Sequence, residues 1–221
     1  MHSDKNNTGI VSASSTKTSS TKTIGVLALQ GGVTEHVAIL DQLGVNSRLV
    51  RLPEHLEGLD GLIFPGGEST TMSKLMQFNV LVEPLQQALG AGLPAFGTCA
   101  GMILLAKEVE NTRPDAVALG ALDITVRRNA FGRQVDSFET DLKVTGVDVA
   151  ADEKPLHAAF IRAPWVARVG ESVRVLSEVT TVEGDTAIVA VANDTVLATS
   201  FHPESTGETR IHEFFLQEFV G

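Results

Sequence analysis

The segment around the single cysteine most constrains how this 221-residue chain can fold. An apolar run at residues 94–96 leads into Gly97-Thr98-Cys99-Ala100-Gly101, and an apolar stretch with helical character follows. A strand, a tight turn and a helix with a nucleophile at the turn have this form. Glycines suit such a turn, because side chains would collide there and some backbone angles are costly for other residues. The segment predicts a strand–turn–helix unit with Cys99 as candidate nucleophile. The cysteine would lie at a helix N-terminus, where peptide dipoles favour a thiolate. The alternative is an inert cysteine in the core.

The first half of the chain alternates short apolar runs with helical patterns. Strands are predicted at residues 24–29, 47–51, 61–64 and 94–96, and helices at residues 33–43, 69–78, 81–89 and 102–109. From about Leu122 the pattern changes to strands with short connections, at residues 122–126, 137–144, 173–177, 187–192 and 196–200, before an amphipathic helix at 206–220. We therefore expect an α/β fold with a mostly parallel sheet, helices on both faces and an antiparallel portion.

Residues 1–22 differ from the rest of the chain. They are rich in Ser, Thr, Lys and Asn and poor in apolar residues, so they cannot bury enough surface to offset their ordering entropy. They also lack the apolar region of a secretory signal. We predict a disordered N-terminal extension at residues 1–22 and a single domain at residues 23–221.

Composition excludes several classes of function. The chain has 17 Lys and Arg against 27 Asp and Glu, a net charge of −10, which makes nucleic-acid binding a poor expectation. One cysteine excludes an intrachain disulfide and a multi-cysteine zinc site, so neither a metal nor a cofactor is expected. No apolar run is long enough to span a bilayer, and the unpaired thiol fits a reducing, cytoplasmic compartment.

A cysteine nucleophile needs a base, and the base needs an orienting partner. His202 follows the predicted strand 196–200 and would lie at a strand's carboxyl end, where open α/β sheets bind ligands. Glu204 can accept a hydrogen bond from the other ring nitrogen of His202 and fix its tautomer. The sequence therefore predicts a Cys99–His202–Glu204 set.

Four other histidines were weighed as bases. None of His36, His55 and His157 both follows a predicted strand and precedes a carboxylate by two residues. His212 has Glu213 beside it, but it falls in the last predicted helix, where we expect it to be solvated.

A glycine pair follows the predicted strand 61–64. Gly66 and Gly67 leave backbone N–H groups free to face a crevice, which suits an oxyanion hole. Ser69 could cap the next helix. The alternative is an ordinary strand-to-helix turn.

Arginines cluster in this acidic chain at Arg127, Arg128 and Arg133, and Arg162 follows another apolar run. Arginine binds carboxylates in a bidentate manner, so a substrate carboxylate or an acidic partner is a plausible ligand. A solvated polar loop is the alternative.

Together these segments resemble the glutaminase subunits of pyridoxal 5′-phosphate synthase, which are class I, triad-type glutamine amidotransferases. The resemblance runs from Thr23 to the C-terminus, and its segments are Leu29-Gln30-Gly31, Pro65-Gly66-Gly67-Glu68-Ser69-Thr70-Thr71, Gly97-Thr98-Cys99-Ala100-Gly101, residues 128–139, Phe160-Ile161-Arg162-Ala163-Pro164 and Phe201-His202-Pro203-Glu204. It implies a flavodoxin-like, three-layer fold and a glutaminase domain at residues 23–221.

The resemblance also implies an activity, namely hydrolysis of L-glutamine to glutamate and ammonia through a glutamyl thioester on Cys99. It implies oxyanion donors at Gly67 and Ala100, and a glutamine site formed by Gly67, Glu68, Ser69, Arg128, Ile161 and Arg162. The implied partner is a synthase subunit, a (β/α)8 barrel of the PdxS/SNZ family, in a large hetero-oligomer that uses the ammonia to build pyridoxal phosphate (vitamin B6).

Two other functions stay open at this point. One is a triad glutaminase that serves a different synthase, which residues 128–139 disfavour. The other is a catalytically inactive regulatory subunit on the same scaffold, which the intact cysteine, histidine and glutamate disfavour.

Overall fold

A computed structural model describes residues 22–128, 137–147, 154–181 and 184–221 of the chain. The predicted disordered extension lies outside these ranges except for Lys22, as does Arg133, so both expectations stay predictions. Within the described ranges, no helix combines the length and the apolar character needed to cross a membrane.

Twelve strands are found in the described residues. In chain order they are β1 (Thr23–Leu27), β2 (Asn46–Val50), β3 (Gly61–Phe64), β4 (Ala95–Thr98), β5 (Ala106–Glu110), β6 (Leu122–Arg127), β7 (Ser137–Leu142), β8 (Leu156–Ile161), β9 (Trp165–Val169), β10 (Arg174–Thr180), β11 (Thr186–Ala192) and β12 (Val196–Thr199). Ten of them form one sheet, and β7 pairs with β8 in a separate antiparallel sheet.

The large sheet changes character along its width. Strands β2, β1, β3, β4 and β12 lie side by side and parallel, whereas β11, β9 and β6 continue the sheet through antiparallel pairs. This arrangement confirms the predicted parallel sheet with an antiparallel portion. Because β3, β4 and β12 are parallel neighbours, their carboxyl ends meet at one edge, where the turns after Phe64, Thr98 and Thr199 come together.

Helices cover both faces of the sheet. Their bounds are α1 (Val33–Gln42), α2 (Ser69–Phe78), α3 (Val82–Gly90), α4 (Ala100–Leu105), α5 (Pro203–Thr206) and α6 (Arg210–Phe215), with a 3₁₀ turn at Pro53–Leu56 and a π-helical turn at Leu216–Val220. Successive β3 side chains alternate between two cores: Leu62 and Phe64 share one with α2, α3 and α4, and Ile63 shares the other with α1 and α6. The predicted three-layer arrangement is therefore present.

Two predicted helices are corrected by the structure, and two of its strands were missed. The helix expected at residues 102–109 ends at Leu105, and Ala106–Glu110 pairs with β6 as β5, with Lys107 and Glu108 exposed. Strands β8 and β9 were not predicted. The closing helix is broken where Gly207 takes a left-handed conformation (φ 69°) and ends α5.

Candidate active site

Cys99 stands on a strained turn between β4 and α4. Its φ of 49° lies in the left-handed region, which is unfavourable for a residue with a side chain. Its backbone N–H donates a hydrogen bond to the Thr199 carbonyl oxygen at 2.8 Å, so the neighbouring strand β12 fixes the turn. The residue is 6% exposed. A strained backbone at the end of a central strand is the geometry of a nucleophile elbow.

The two glycines around Cys99 let α4 approach the sheet closely. A Cβ atom on Gly101 would lie 2.0 Å from the carbonyl oxygen of Phe64, and one on Gly97 would lie 2.7 Å from the Gly101 carbonyl carbon. Neither backbone contact could be relieved by a side-chain rotation. Glycine is therefore required at both positions by packing between β3, β4 and α4.

His202 reaches the same edge from the end of β12. Its backbone N–H donates to the Ala159 carbonyl oxygen at 3.0 Å, and its Nδ1 lies 2.8 Å from Oε1 of Glu204. Its ring lies against Gly66, where a Cβ atom would come within 2.1 Å of the ring's Cε1. The turn after β3 and the turn after β12 are thus packed together around the imidazole.

The surroundings of His202 favour its charged form. Burial lowers the pKa of the imidazole, but hydrogen bonds with Cys99 and Glu204 and the charges of both groups outweigh burial and raise it to about 10. For the buried Glu204, desolvation raises the pKa, while the hydrogen bond from His202 and the charges of His36 and His202 bring it below its ordinary value. The structure therefore brings Cys99, His202 and Glu204 together, with an imidazolium beside a carboxylate at neutral pH.

The turn carrying Gly66 and Gly67 is held by three neighbours. The Gly66 N–H donates to Thr98 Oγ1 at 2.9 Å, and the Gly66 carbonyl accepts from Gly32 N–H at 3.0 Å. The Glu68 N–H donates to Gln30 Oε1 at 2.7 Å. Gln30 and Thr98 lie inside motifs noted in the sequence, yet no pattern indicated that their side chains would hold this turn.

Glu68, and not Ser69, caps helix α2. The Glu68 carboxylate accepts hydrogen bonds from Thr70 N–H (3.0 Å), Thr71 N–H (2.7 Å) and the Thr71 hydroxyl (2.8 Å). Burial opposes ionisation, but these hydrogen bonds together outweigh it and bring the pKa of Glu68 down to about 2. The expectation that Ser69 caps the helix is wrong, because Ser69 is already the first helical residue and is buried.

The predicted substrate-binding residues fall into two groups. Arg128 follows β6, and its Nη2 lies 3.6 Å from Oε1 of Glu68, next to Gly67 and Ser69 on the turn after β3. Ile161 is the last residue of β8, and Arg162 follows it with a strained φ of 45°. Ile161 is 43% exposed and borders an open cavity of about 570 Å³ between the β7–β8 pair and α5. The β8 backbone reaches the triad through the bond from His202 to Ala159.

The remaining histidines do not serve as alternatives at this edge. His157 is exposed and bridges Glu139 and Asp141 at 3.0 Å each. The expectation that His212 is solvated is wrong: it is fully buried, because α6 packs against the sheet, and its Nε2 lies 2.8 Å from Nδ1 of His36. His36, weighed above as a base, is likewise fully buried.

Comparison with known proteins adds an independent line of evidence. A model of the SNO glutamine amidotransferase family matches residues 26–221. The chain is 59% identical over 195 residues to a protein of Rhodococcus opacus (strain B4) named pyridoxal 5′-phosphate synthase subunit PdxT, covering 87% of this chain and 95% of that relative. A protein of Mycobacteroides abscessus with the same name is 59% identical over 193 residues, with 87% and 95% covered.

Solved structures show the same likeness. One described as a glutamine amidotransferase has a TM-score of 0.78 and 47% identity, covering 88% of this chain and 97% of its own. A PurLQS structure from Thermotoga maritima has a TM-score of 0.61 at 16% identity, covering 89% and 98%, which shows a shared fold alone. These likenesses confirm the fold class expected from the motifs.

Proposed function

Because the chain belongs to the SNO glutamine amidotransferase family, we propose that it is the glutaminase subunit of a pyridoxal 5′-phosphate synthase. The two relatives described above are 59% identical to this chain over most of both sequences, and both are named as that subunit. The chain hydrolyses L-glutamine to glutamate and supplies the ammonia to a synthase subunit.

Cys99 is the nucleophile of the proposed reaction. Its sulfur attacks the carbonyl carbon of the glutamine side-chain amide and forms a tetrahedral intermediate. The amide nitrogen leaves as ammonia after taking a proton from His202, and a γ-glutamyl thioester remains on the sulfur. A water molecule then attacks the thioester carbonyl and gives its proton to His202, and the C–S bond breaks to release glutamate and restore the Cys99 thiolate. The raised pKa of His202, about 10, means that the proton needed by the leaving ammonia is on the ring at neutral pH.

The negative charge of the tetrahedral intermediate needs donors that are already in place. We assign this role to the backbone N–H groups of Gly67 and Ala100. Ala100 is the first residue of α4, directly after Cys99, where helix N–H groups lack intrahelical acceptors. Gly67 belongs to the turn that packs beside the His202 ring. Hydrogen bonds from backbone N–H groups of this turn to the side chains of Thr98 and Gln30 support its rigidity.

Glutamine itself is held by groups from both sides of the cleft. We assign the α-carboxylate to the Arg128 guanidinium, which suits bidentate binding, and the α-ammonium to the neighbouring Glu68, whose low pKa keeps it charged. Gly67 and Ser69 complete the turn side of the site. Ile161 and Arg162 contribute from the end of β8.

The synthase subunit completes the enzyme. We propose that it is a (β/α)8 barrel of the PdxS/SNZ family and that both subunits assemble as a large cytoplasmic hetero-oligomer. Ammonia made at Cys99 is then passed to the barrel, and glutamine hydrolysis depends on docking of the two subunits.

One geometric relationship supports this function most strongly. A strained cysteine, a histidine hydrogen-bonded to it and a buried carboxylate on that histidine's other nitrogen converge at the carboxyl ends of adjacent parallel strands. A regulatory subunit without activity would have no need of the strained turn or of a buried carboxylate beside the histidine.

Release of ammonia from glutamine by the chain mixed with the synthase subunit tests the proposal, with Cys99→Ala as the decisive variant. We expect Cys99→Ala to bind the synthase subunit but to release no ammonia. Release at the wild-type rate would overturn the proposed mechanism. Because Cys99 is the only thiol, a glutamine-analogue alkylating agent must label this residue in an active complex. An unlabelled complex would favour the inactive subunit, and stimulation by an unrelated synthase would favour the other glutaminase.

A further inference from the structure

A chain of buried polar side chains continues behind Glu204, away from Cys99. Thr98, His36 and His212 are each fully buried, so none of them can exchange its hydrogen bonds with bulk water. Thr98 Oγ1 lies 3.3 Å from Oε1 of Glu204, and His36 Nε2 lies 3.2 Å from Thr98 Oγ1. His36 Nδ1 lies 2.8 Å from His212 Nε2. This series of hydrogen-bonded side chains thus runs from Glu204 through Thr98 and His36 to His212.

The hydrogen-bond capacity of the Thr98 hydroxyl determines the direction of this chain. A hydroxyl donates once and accepts twice. The Gly66 N–H takes one acceptor position at 2.9 Å. If the hydroxyl proton is donated to the Glu204 carboxylate, the remaining position must accept a proton from His36 Nε2. The chain then has a donor for every acceptor from His36 to Glu204.

This direction sets the tautomers of both histidines. With its proton on Nε2, neutral His36 has an unprotonated Nδ1 that accepts from His212 Nε2–H. Burial, together with the charge of His202, lowers the pKa of His36 against the attraction of Glu204 and Glu35. Burial and repulsion from His36 lower the pKa of His212 to about 3, against the attraction of Glu204 and a hydrogen bond with the Glu208 backbone. Both rings are therefore neutral at pH 7, where they act as hydrogen-bond partners, and His36 carries a charge beside Glu204 only in acid.

The neighbouring side chains of the Glu204 carboxylate gather at one of its two oxygens. Oε1 lies 2.8 Å from Nδ1 of His202, 3.3 Å from Oγ1 of Thr98 and 3.6 Å from Nε2 of His36. Oε2 is buried without a hydrogen-bond partner among the described residues. Beyond His202 and the backbone of Glu204 itself, the groups beside this carboxylate are Thr98 and His36.

We propose that Thr98 and His36 are positioning residues, which act through Glu204 to hold its carboxylate ionised and aimed at Nδ1 of His202, with His212 fixing the tautomer of His36. This role rests on the proposed function of His202 as the proton donor. Neither residue contacts the reacting atoms. Their effect reaches the reaction through the orientation and protonation of the His202 ring.

Thr98→Val and Thr98→Ser form a matched pair for the test, because valine keeps the shape and serine keeps the hydroxyl. In the full-length chain, NMR titration of His202 should show its pKa falling by about one unit or more in Thr98→Val, since a hydrogen bond to a charged group is lost. It should stay within 0.3 of the wild-type value in Thr98→Ser. With the synthase subunit present, kcat for glutamine should fall about tenfold in Thr98→Val while KM stays within twofold. Unchanged His202 titration and kcat in Thr98→Val would overturn the proposal.

His36→Gln and His36→Leu extend the comparison to the next link, because the glutamine amide retains a donor where Nε2 stands and leucine does not. The pKa of His202 should fall more in His36→Leu than in His36→Gln, and equal values in the two variants would count against a role for His36. His55→Asn, on the 3₁₀ turn away from the site, should leave both readouts unchanged.

One measurement needs no variant and so survives a failure of any variant to fold. The ¹⁵N shifts of the wild-type rings should show His36 protonated on Nε2 and not on Nδ1. The opposite tautomer would overturn the proposal. If the wild-type complex releases no ammonia while these NMR results hold, the proposed function fails and the positioning network stands.

Discussion

Nδ1 of His202 lies 2.8 Å from Oε1 of Glu204, and both residues belong to a single turn of the chain. His202 is the N-cap residue of α5, and Glu204 is the second residue of that helix. The relative position of the proposed base and its proposed orienting residue is therefore set by local geometry. Cys99 arrives from a different strand, so only the tertiary fold can bring the sulfur to the other side of the ring.

Glu204→Gln should separate the charge of Glu204 from its shape. The amide can still accept a hydrogen bond from Nδ1, but it cannot stabilise an imidazolium, so the pKa of His202 should fall. We expect kcat for glutamine hydrolysis in the presence of the synthase subunit to fall by about 10²- to 10⁴-fold. Glu218→Gln, at an exposed position of the C-terminal turn, is the matched control and should leave kcat unchanged. Equal rates for the two variants would refute the orienting role.

Gly66→Ala should displace the His202 ring without disturbing the rest of the fold. The added Cβ would come within 2.1 Å of Cε1 of His202, so the ring must move away from its partners. We expect kcat to fall at least tenfold, with a smaller effect on thermal stability. Gly90→Ala adds the same methyl group to a helix end where nothing lies within 4 Å, and it should leave both quantities unchanged or raise stability slightly. Full activity in Gly66→Ala would show that the ring contact is unimportant.

His212 should make the protein less stable in acid. Its ordinary pKa of 6.5 is lowered to about 3 in the folded chain by burial and by the charge of His36. Between pH 6.5 and 3 the unfolded chain therefore binds one more proton, and the free energy of unfolding falls as the pH falls. His212→Phe should reduce that slope by about 1.4 kcal/mol per pH unit in urea titrations between pH 4 and 6.

The control for this pH dependence is His157→Asn. Hydrogen bonds with Glu139 and Asp141 raise the pKa of the exposed His157, so its stabilising effect is present below pH 6.5 and is lost as the pH rises through its folded value. Because this loss falls above pH 6.5, His157→Asn should leave the slope between pH 4 and 6 unchanged. Parallel stability curves for wild type and His212→Phe would show that His212 is not buried in its neutral form.

Arg128→Met should weaken glutamine binding more than catalysis. The loss of a charge-assisted contact to the α-carboxylate should raise KM by about 10- to 100-fold and change kcat far less. Arg127→Met is the neighbouring control, because the Arg127 Nε atom bonds to Glu110 at 2.7 Å on the adjacent strand. A similar rise in KM for both variants would assign the effect to overall charge rather than to a substrate contact.

The sequence contained most of the information needed for the fold. The bounds predicted for β3 and α2 match the observed ones. For β3 the signal is clear because a parallel strand that is buried on both faces is apolar throughout. Residues 102–109 misled the helix prediction because the apolar pattern continues into β5, where pairing with β6 overrides the local preference. Strand β9 was missed although four of its five residues are apolar, and it forms by pairing with β6 and β11.

The structure brings together the candidate residues whose sequence signals are local, whereas the sequence did not indicate the side chains whose positions depend on packing. His202 and Glu204 were identifiable because they share a turn, and Cys99 because glycines flank it. The buried pair His36 and His212 lies 176 residues apart in sequence, so no spacing could relate them. Ser69 resembled a cap by residue type, whereas the longer Glu68 side chain reached the free N–H groups first.

The two sheets differ in how readily they can open. Strand β4, which carries Cys99 at its end, is hydrogen-bonded on both edges by β3 and β12, so freeing it requires two ladders to break at once. Strands β7 and β8 pair only with each other among the described residues. Amide protons of β4 should therefore exchange with solvent far more slowly than those of β8. Cys99 is therefore carried by a strand that opens less readily than the β7–β8 pair.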